Sequence, residues 1–558
     1  MITTTWIKYV DRTFLSIKDS LLNRLRITVP EMTDYSPSNL FMIIVDMFSG
    51  VAELINYYID TTARELFVST ARRFSSLLKL AEYAGYYGKA MVPAQATVKF
   101  YFDGDIVAVD NFIIPAGTIL NSSGSIPWVL NDNVYFRKDT YAAYGFVTQY
   151  VQVTGYDIGT SDGTANQLFI LPDDYAQGSL DVQVGGVYWN RVDTLGFSSP
   201  TDTDFMVALK PDGALYLVFG DGVNGYIPDD SLTIVGNYKS TQGATINVGM
   251  GQIISIISSL SLPAGSGTLK VTNPSKSFGA KNVEGMEDLR RAIPLSIRTL
   301  DRAVTRQDYI DVALMAPGVR AAVLAFDCGL GVTLYIVPNG GGVANASFLD
   351  EVKEFVEAKA IATIPIQTKP SGETRIRLKV RVTGKYRITA NLIRTKVLQR
   401  LESLYDPYKT SINQSIRVSD IIAAIDNLPE VDFLTMDYIY AVPYLRPSNL
   451  ALDLEYRATI KSTSINSFTW RLVYSSSAST FTLFKNGVQV QADMTVGVYS
   501  NIAGILDFEL MSIPPDIVNA DYWEFTTYPY NRDIEITDRS IPVIYPEDVV
   551  LEIKEQYV

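Results

Sequence analysis

The sequence predicts a multidomain α+β protein: an N-terminal helical segment, a central all-β domain, an α/β domain with two similar helix-strand units, and a C-terminal β domain. Three observations carry this. Apolar residues recur at helical spacing up to about residue 92 and at strand spacing from there to about residue 275. A helix–strand unit near residue 308 returns without gaps at an offset of 112 residues. The chain has 558 residues, more than one compact core holds, so three to four domains are expected. Their expected spans are 1–92, 93–275, 276–445 and 446–558.

In the first span, Phe14, Ile17, Leu21, Leu22 and Leu25 form one apolar stripe, ended by Pro30. Ser36-Pro37 reads as an N-cap with proline at the first helical position. The helix expected over Pro37–Thr62 carries two stripes: Leu40, Ile43, Met47, Val51, Leu54, Tyr58, and Phe41, Ile44, Phe48, Ala52, Ile55, Ile59. Its polar remainder (Asp46, Ser49, Glu53, Asn56, Asp60) is a narrow strip. A helix apolar over most of its girth has to be buried on more than one side. Either the segment is a small self-contained helical domain, or its bundle is completed by partner chains. In the second case Phe41, Ile44, Phe48, Ile55 and Ile59 are the candidate partner-facing residues. Thr70 is the expected cap of a third helix, with Phe74, Leu77, Leu78, Ala81 and Ala84 inward and Gly85 at its end.

Residues 93–275 alternate as strands, among them Val98–Phe102, Thr148–Val153, Leu180–Val184 and Leu215–Phe219. Their irregular spacing leaves sandwich and barrel open. Gly220-Asp221-Gly222-Val223-Asn224-Gly225 matches G-x-G-x-x-G formally. A dinucleotide site needs a helix opening on that motif, and Tyr226-Ile227-Pro228 follows instead. The expectation is a tight turn.

Between 276 and 445, Met286–Leu300 has helical spacing with Pro294 inside. A second helix starts at Thr305, whose capping box is completed by Asp308, and stops at Pro317-Gly318 before the apolar strand Val319–Phe326. Asp420-Ile-Ile-Ala-Ala-Ile-Asp-Asn-Leu-Pro429-Glu-Val431 aligns on Asp308-Tyr-Ile-Asp-Val-Ala-Leu-Met-Ala-Pro317-Gly-Val319. The pair reads either as two similar halves or as chance likeness of short amphipathic helices. From 446 on the pattern is β again, with a hairpin signal at Asn486-Gly487.

Composition excludes several function classes. Net charge is −13 and no Lys/Arg block stands out, so nucleic acid is not an expected partner. Histidine is absent and Cys328 is the single cysteine. That removes Ser–His and Cys–His nucleophiles and His-ligated metals, and is compatible with assembly in a reducing cytosol. No secretory pattern opens the sequence, and no uninterrupted apolar run is long enough to span a bilayer, so no membrane partner is expected. Glu284, Glu287 and Asp288 precede Arg290 and Arg291; acids in a first helical turn offset the helix dipole more often than they form an acid–base pair. Arg298, Arg302 and Arg306 share helical spacing; such a set can bind phosphate or a carboxylate partner, but reads more readily as a solvated face or an interface cluster, with Arg298 and Arg302 as candidate partner-facing residues. Asp157, Asp162, Asp202 and Asp204 do not follow a calcium-loop pattern. Cys328 reads as structural. No catalytic, cofactor or metal site is expected, and no enzyme activity.

Several of these motifs together resemble the J-like baseplate wedge protein family of contractile (myovirus-type) phage tails. They are Gly279-x-x-x-Val283-Glu284-Gly285, Leu289-Arg-Arg-Ala-x-Pro294, Arg298-Thr299, Arg302-Ala-Val-Thr-x-x-Asp308-Tyr309 and Ala316-Pro-Gly-Val319. Phe219-Gly-Asp-Gly-x-x-Gly225 followed by Pro228, Pro115-Ala-Gly-Thr118, and the runs Asp34–Leu40, Tyr58–Asp60, Glu65–Ala71 and Gly85-Tyr86 add to it. The resemblance implies a structural role in the virion's tail baseplate, assembled in the host cytoplasm. It implies a helical core bundle shared with other wedge proteins and further copies of the chain, a ring around the tail tube, and contacts with tube or sheath-initiating proteins. The alternatives are a carbohydrate-binding or host-adhesion tail protein, suggested by the aromatic β segments, and the equivalent wedge of a contractile injection system. A helical N-terminus is not something a sugar-binding module needs.

Overall fold

The computed structural model describes residues 10, 12–31, 33–103, 107–138, 140, 142–263, 265, 267–327, 331–405, 410–442, 446–447, 456–460, 466–476, 478–495, 497–503, 506–510, 521–536, 539–544 and 548–555. Cys328 lies outside the described residues. The fold is multidomain α+β, with helices at the N-terminus, several β-sheets and a C-terminal β domain.

Three helices open the chain: α1 (Phe14–Thr28), α2 (Leu40–Arg64) and α3 (Phe74–Tyr83). Two expected caps are replaced. The N-cap of α2 is Asn39, whose Oδ1 accepts from Phe41 N at 2.9 Å, not Ser36. Asp34 holds the preceding turn, accepting from Ser36 N and from the Asn39 amide. Thr70 does not cap α3; its hydroxyl donates to the Arg64 carbonyl at 2.7 Å, and Arg73 stands at the N-cap. At the other end of α3, Gly85 N bonds Glu82 O and Tyr86 N bonds Ala81 O, with Gly85 at φ +73°. This is the paired closure that glycine permits at a helix end.

The first span is split in the packing. Leu77, Leu78 and Ala81 of α3 are buried in one core with Val182, Phe205, Leu217, Phe219 and Leu289. α3 therefore packs with the β region, and only α1 and α2 project. The β region has two large sheets with separate cores, and a two-stranded ribbon of Phe112–Ile114 with Val134–Phe136 packs into the first core. A six-stranded sheet includes Gln95–Phe102 and Ala142–Thr148, around Phe100, Trp128 and Phe136. A seven-stranded sheet runs from Val151–Thr160 at one edge to Leu168–Ile170 at the other. The single strand expected over Thr148–Val153 is two, one in each sheet.

Next come α4 (Met286–Thr299) and α5 (Arg306–Met315). The Thr305 capping box forms as expected: Thr305 Oγ1 accepts from Asp308 N at 3.3 Å, and Asp308 Oδ2 accepts from Thr305 N at 2.7 Å. The strand Val319–Asp327 pairs antiparallel with Gly331–Pro338, which pairs parallel with Ile366–Pro370; α6 (Ala346–Glu357) joins the last two. In the second half Glu373–Gly384 is the central strand. Val431–Val442 lies antiparallel to it, Ile541–Val543 and Val549–Lys554 parallel, with α7 (Ala390–Leu404) and α8 (Val418–Asp426) adding to the core. Both echoed units thus place their strand antiparallel to a central strand that has a parallel neighbour on its other side. The chain order differs: the echoed strand precedes the central one in the first half and follows it in the second.

The last span is also divided. Residues from Trp470 to Phe525 build their own core. Tyr528, Ile534, Ile544, Val549 and Leu551 return to the core of the second α/β half. The C-terminal β domain is therefore an insertion, and the chain's last described strand closes the preceding sheet. Pro542, expected in a loop, sits in the short edge strand Ile541–Val543, a position that tolerates a missing N–H.

Candidate assembly surface

α1 and α2 form an antiparallel hairpin held by polar contacts. Val10 N donates to Asp60 Oδ1 at 2.9 Å, Phe14 N to Glu53 Oε1 at 3.2 Å, and Lys18 pairs with Asp46 at 2.7 Å. The narrow polar strip of α2 is thus the strip that meets α1. Ser49 and Asp60 are buried, and Ser49 Oγ donates to the Val45 carbonyl at 2.7 Å.

The consequence is an inverted helix. Every one of the five sequence-predicted residues is exposed: Phe41, Ile44, Phe48, Ile55 and Ile59 retain 40–65% of their surface. The other stripe is exposed as well, from Leu40 through Ile43, Met47, Val51 and Leu54 to Tyr58. Of the apolar residues on α2 only Met42 is buried. Leu66 and Phe67 continue the surface past the helix end. An apolar face of this length is far beyond the scattered exposed side chains that a protein surface ordinarily carries.

The expectation is that no uninterrupted apolar run is long enough to cross a bilayer; α2, although interrupted, passes as a whole helix. α2 has 25 residues and is long and apolar enough, by length and composition. Asp46, Glu53 and Asp60 interrupt the run in sequence but fall on one strip in space.

The arginine cluster is not realised. α4 ends at Thr299, and Leu300 and Asp301 are left-handed (φ +46° and +58°), so Arg298, Arg302 and Arg306 do not share a helix face. Arg298 pairs with the buried Asp311 of α5 at 2.5 Å, and Arg306 donates to the Leu324 carbonyl. Arg302 is exposed in the turn.

The three acids near α4 do separate work. Glu284, buried, accepts from the Tyr86 hydroxyl at 2.7 and 2.9 Å, from Lys89 N at 3.1 Å and from Lys281. Asp288 accepts from Gly285 N and pairs with Lys281. Glu287 pairs with Arg290. Sequence reasoning missed Lys89, whose ammonium donates to the Met315 carbonyl at the end of α5 and lies 5.2 Å from the Phe355 ring. Burial pushes it down to about 8, partly offset by Glu284. No sequence pattern marks it, because its partners come from α5 and α6.

The Gly220–Gly225 run is a turn. Asp221 accepts from Val223 N and Asn224 N at 2.9 and 2.7 Å, and Gly222 N bonds Gly225 O at 3.1 Å. The N–H groups of Gly222, Val223 and Asn224 are engaged within the turn, and the next regular element is the strand Thr233–Ser240. Among the described residues no group of three metal-ligating side chains occurs.

Residues 13–83 match the family described as bacteriophage baseplate protein, N-terminal domain. The matched stretch runs from the cap of α1 to the end of α3 and contains the whole exposed hairpin. It supports a structural baseplate component. Among solved structures the chain is similar to a chain of the anti-feeding prophage (AFP) baseplate, determined by cryo-EM and 6-fold symmetrised. Identity is 14%, covering 75% of this chain and 86% of that one, with a TM-score of 0.28. No curated protein matches the chain.

Proposed function

We propose that the chain is a wedge component of a contractile-tail baseplate, J-like in kind. Its α1–α2 hairpin enters a helical bundle with other wedge chains and with a further copy of itself. The wedges so joined form the ring around the tail tube, contact tube or sheath-initiating proteins, and rearrange when the sheath contracts. The role is mechanical and not enzymatic. The same chemistry serves a phage or an injection particle.

The observation that carries this reading is the inverted α2. A helix that turns its polar strip inward and two apolar stripes outward is built to be covered. Each Phe, Ile or Leu buried there contributes about 1.5–3 kcal/mol, enough for a handful of them to dominate an interface. Phe41→Asp with Phe48→Asp is expected to leave the β-sheets folded and stop incorporation into particles. Normal incorporation of the double variant would sink the proposal.

The length of α2 favours a second reading, insertion into a bilayer. The polar strip weighs against it. Crossing would either pull charged α1 into the bilayer or strip Asp46, Glu53 and Asp60 of their partners, at about 2.5–3.5 kcal/mol per carboxylate at the helix centre. Flotation of the purified chain with phosphatidylcholine–phosphatidylglycerol vesicles separates the two; the bundle reading expects it to stay at the bottom of the gradient.

A further inference from the structure

A cavity of about 440 Å³ opens between α4, the end of α5 and the linker that follows α3. Five cations belong to its lining, Lys89, Lys281, Arg290, Arg291 and Arg320, against two acids, Glu284 and Asp288. Adding Glu287, which pairs with Arg290 from outside the lining, still leaves positive charge in excess. This cavity belongs to a chain whose net charge is −13.

Both lining acids are engaged inside the protein. Glu284 accepts from Tyr86, Lys89 N and Lys281, and Asp288 accepts from Gly285 N and pairs with Lys281. Most of the cations have partners too. Arg290 donates to the Ala71 carbonyl, Lys89 to the Met315 carbonyl and Arg320 to the Thr410 carbonyl. Arg291 stands apart. It is exposed, and among the described residues no carboxylate pairs with it and no acceptor takes its hydrogen bonds. Glu287, four residues before it on α4, goes to Arg290 instead. The helix dipole gives no reason for it either. Cations are favoured in a last turn, and Arg291 lies in the first half of α4.

We infer that this cavity receives a carboxylate, an acidic side chain presented by a partner chain, and that Arg291 grips it at the rim. A guanidinium fork matches the two oxygens of a carboxylate, and the excess positive charge of the wall favours the same ligand. A phosphate would call for a row of free backbone N–H groups, but those of Lys89, Ala90, Val92 and Val319 are taken within the chain. The inference rests on the reading of the chain as an assembly component, and it adds a second contact, polar and remote in chemistry from the apolar hairpin.

The test measures fluorescence anisotropy of a labelled tetraglutamate peptide with the full chain, against a tetraglutamine peptide of the same length. Salt is set at about 0.15 M, where charges more than about 8 Å apart are largely screened. The chain as a whole repels an acidic peptide, so attraction has to come from a local site. Tetraglutamate is expected to bind saturably and tetraglutamine not to bind. Arg291→Gln should weaken binding about tenfold, since hydrogen bonds to charged groups are the strong ones, and Arg291→Lys should restore part of it. Arg302→Gln, an exposed arginine outside the lining, should leave binding unchanged. Melting curves of both Arg291 variants should match the parent, because no polar contact is lost. Several results overturn the inference: no saturable binding of tetraglutamate, equal binding of tetraglutamine, an equal loss in Arg302→Gln, full binding by Arg291→Gln, a markedly lower melting point in that variant, or displacement of the peptide by inorganic phosphate at a lower concentration than by free glutamate peptide. The measurement needs no assembled particle, so its failure would leave the hairpin reading untouched.

Discussion

At the scale of single residues, the Gly220–Gly225 turn shows why spacing alone misleads. A Cβ added at Gly220 would lie 2.3 Å from the Gly225 carbonyl oxygen, a backbone atom that cannot step aside. At Gly222 it would meet the Ile227 side chain at 3.2 Å, at a φ of +83°. Gly220→Ala is therefore expected to cost more stability than Gly222→Ala, about 2–4 against about 1–2 kcal/mol, measured by chemical denaturation. Gly222→Val adds a branched side chain at positive φ and should fall nearer the first. Lys89 makes a second prediction at this scale. Its folded value of about 8 lies below the ordinary 10.5. Between those values the unfolded chain holds the proton and the folded chain has lost it, so stability from this group rises with pH across that window. Lys89→Met should flatten that rise when melting is compared at pH 7.5 and pH 10. An equal rise in both proteins would refute the assignment.

At the scale of elements, legibility depended on whether the cause was local. The Thr305 capping box, the Pro317-Gly318 stop and the Asn486-Gly487 turn (φ +48° and +80°) are written within a few residues, and they form as expected. The two stripes of α2 were equally legible. Which side of the helix would be covered was not, because that is decided by α1, whose backbone N–H groups and Lys18 take the polar strip. Hydrophobic periodicity reports which residues share a face and says nothing of what that face meets. The arginine spacing failed for a related reason: helical period carries meaning only inside one helix, and α4 ends at Thr299. The capping box lends itself to measurement. Hydrogen bonds from Thr305 and Val304 hold the Asp308 carboxyl below its usual range, Thr305 N being the largest cause. That contribution is present above the ordinary carboxylate value and is lost as pH falls through the folded one. Thr305→Ala should lower stability by about 1 kcal/mol.

At the scale of the whole molecule, the decisive fact is where the chain goes after Val442 and where it returns. The sequence divides at 446 by composition, but the packing divides by return. Asn531 N donates to the Ile439 carbonyl at 2.9 Å, Asn531 Nδ2 to the Asp437 carbonyl at 3.0 Å, and the Tyr440 and Tyr530 rings stack at 5.7 Å. Departure and return are thus neighbours in space, although separated by a complete β domain in sequence. That domain has its own core, with Trp470, Phe481 and Trp523 almost fully enclosed, and none of its described residues belongs to the core of the α/β half. Val549–Lys554, by contrast, pairs along six residues of the central strand. Two variants should therefore behave oppositely. Replacing residues 443–527 with a short Gly-Ser linker closes a gap already spanned by hydrogen bonds, and the remaining chain is expected to melt cooperatively within a few degrees of the intact protein. Removing residues 548–558, a much smaller cut, uncovers Leu378 and Val380 and leaves the buried Asp548 partners, Arg375 and Arg377, without their carboxylate. It is expected to unfold the α/β half. Calorimetry of the two variants decides: a linker variant that loses its main transition, or a truncated one that keeps it, would show that the inserted domain, and not the returning strand, completes that sheet's fold.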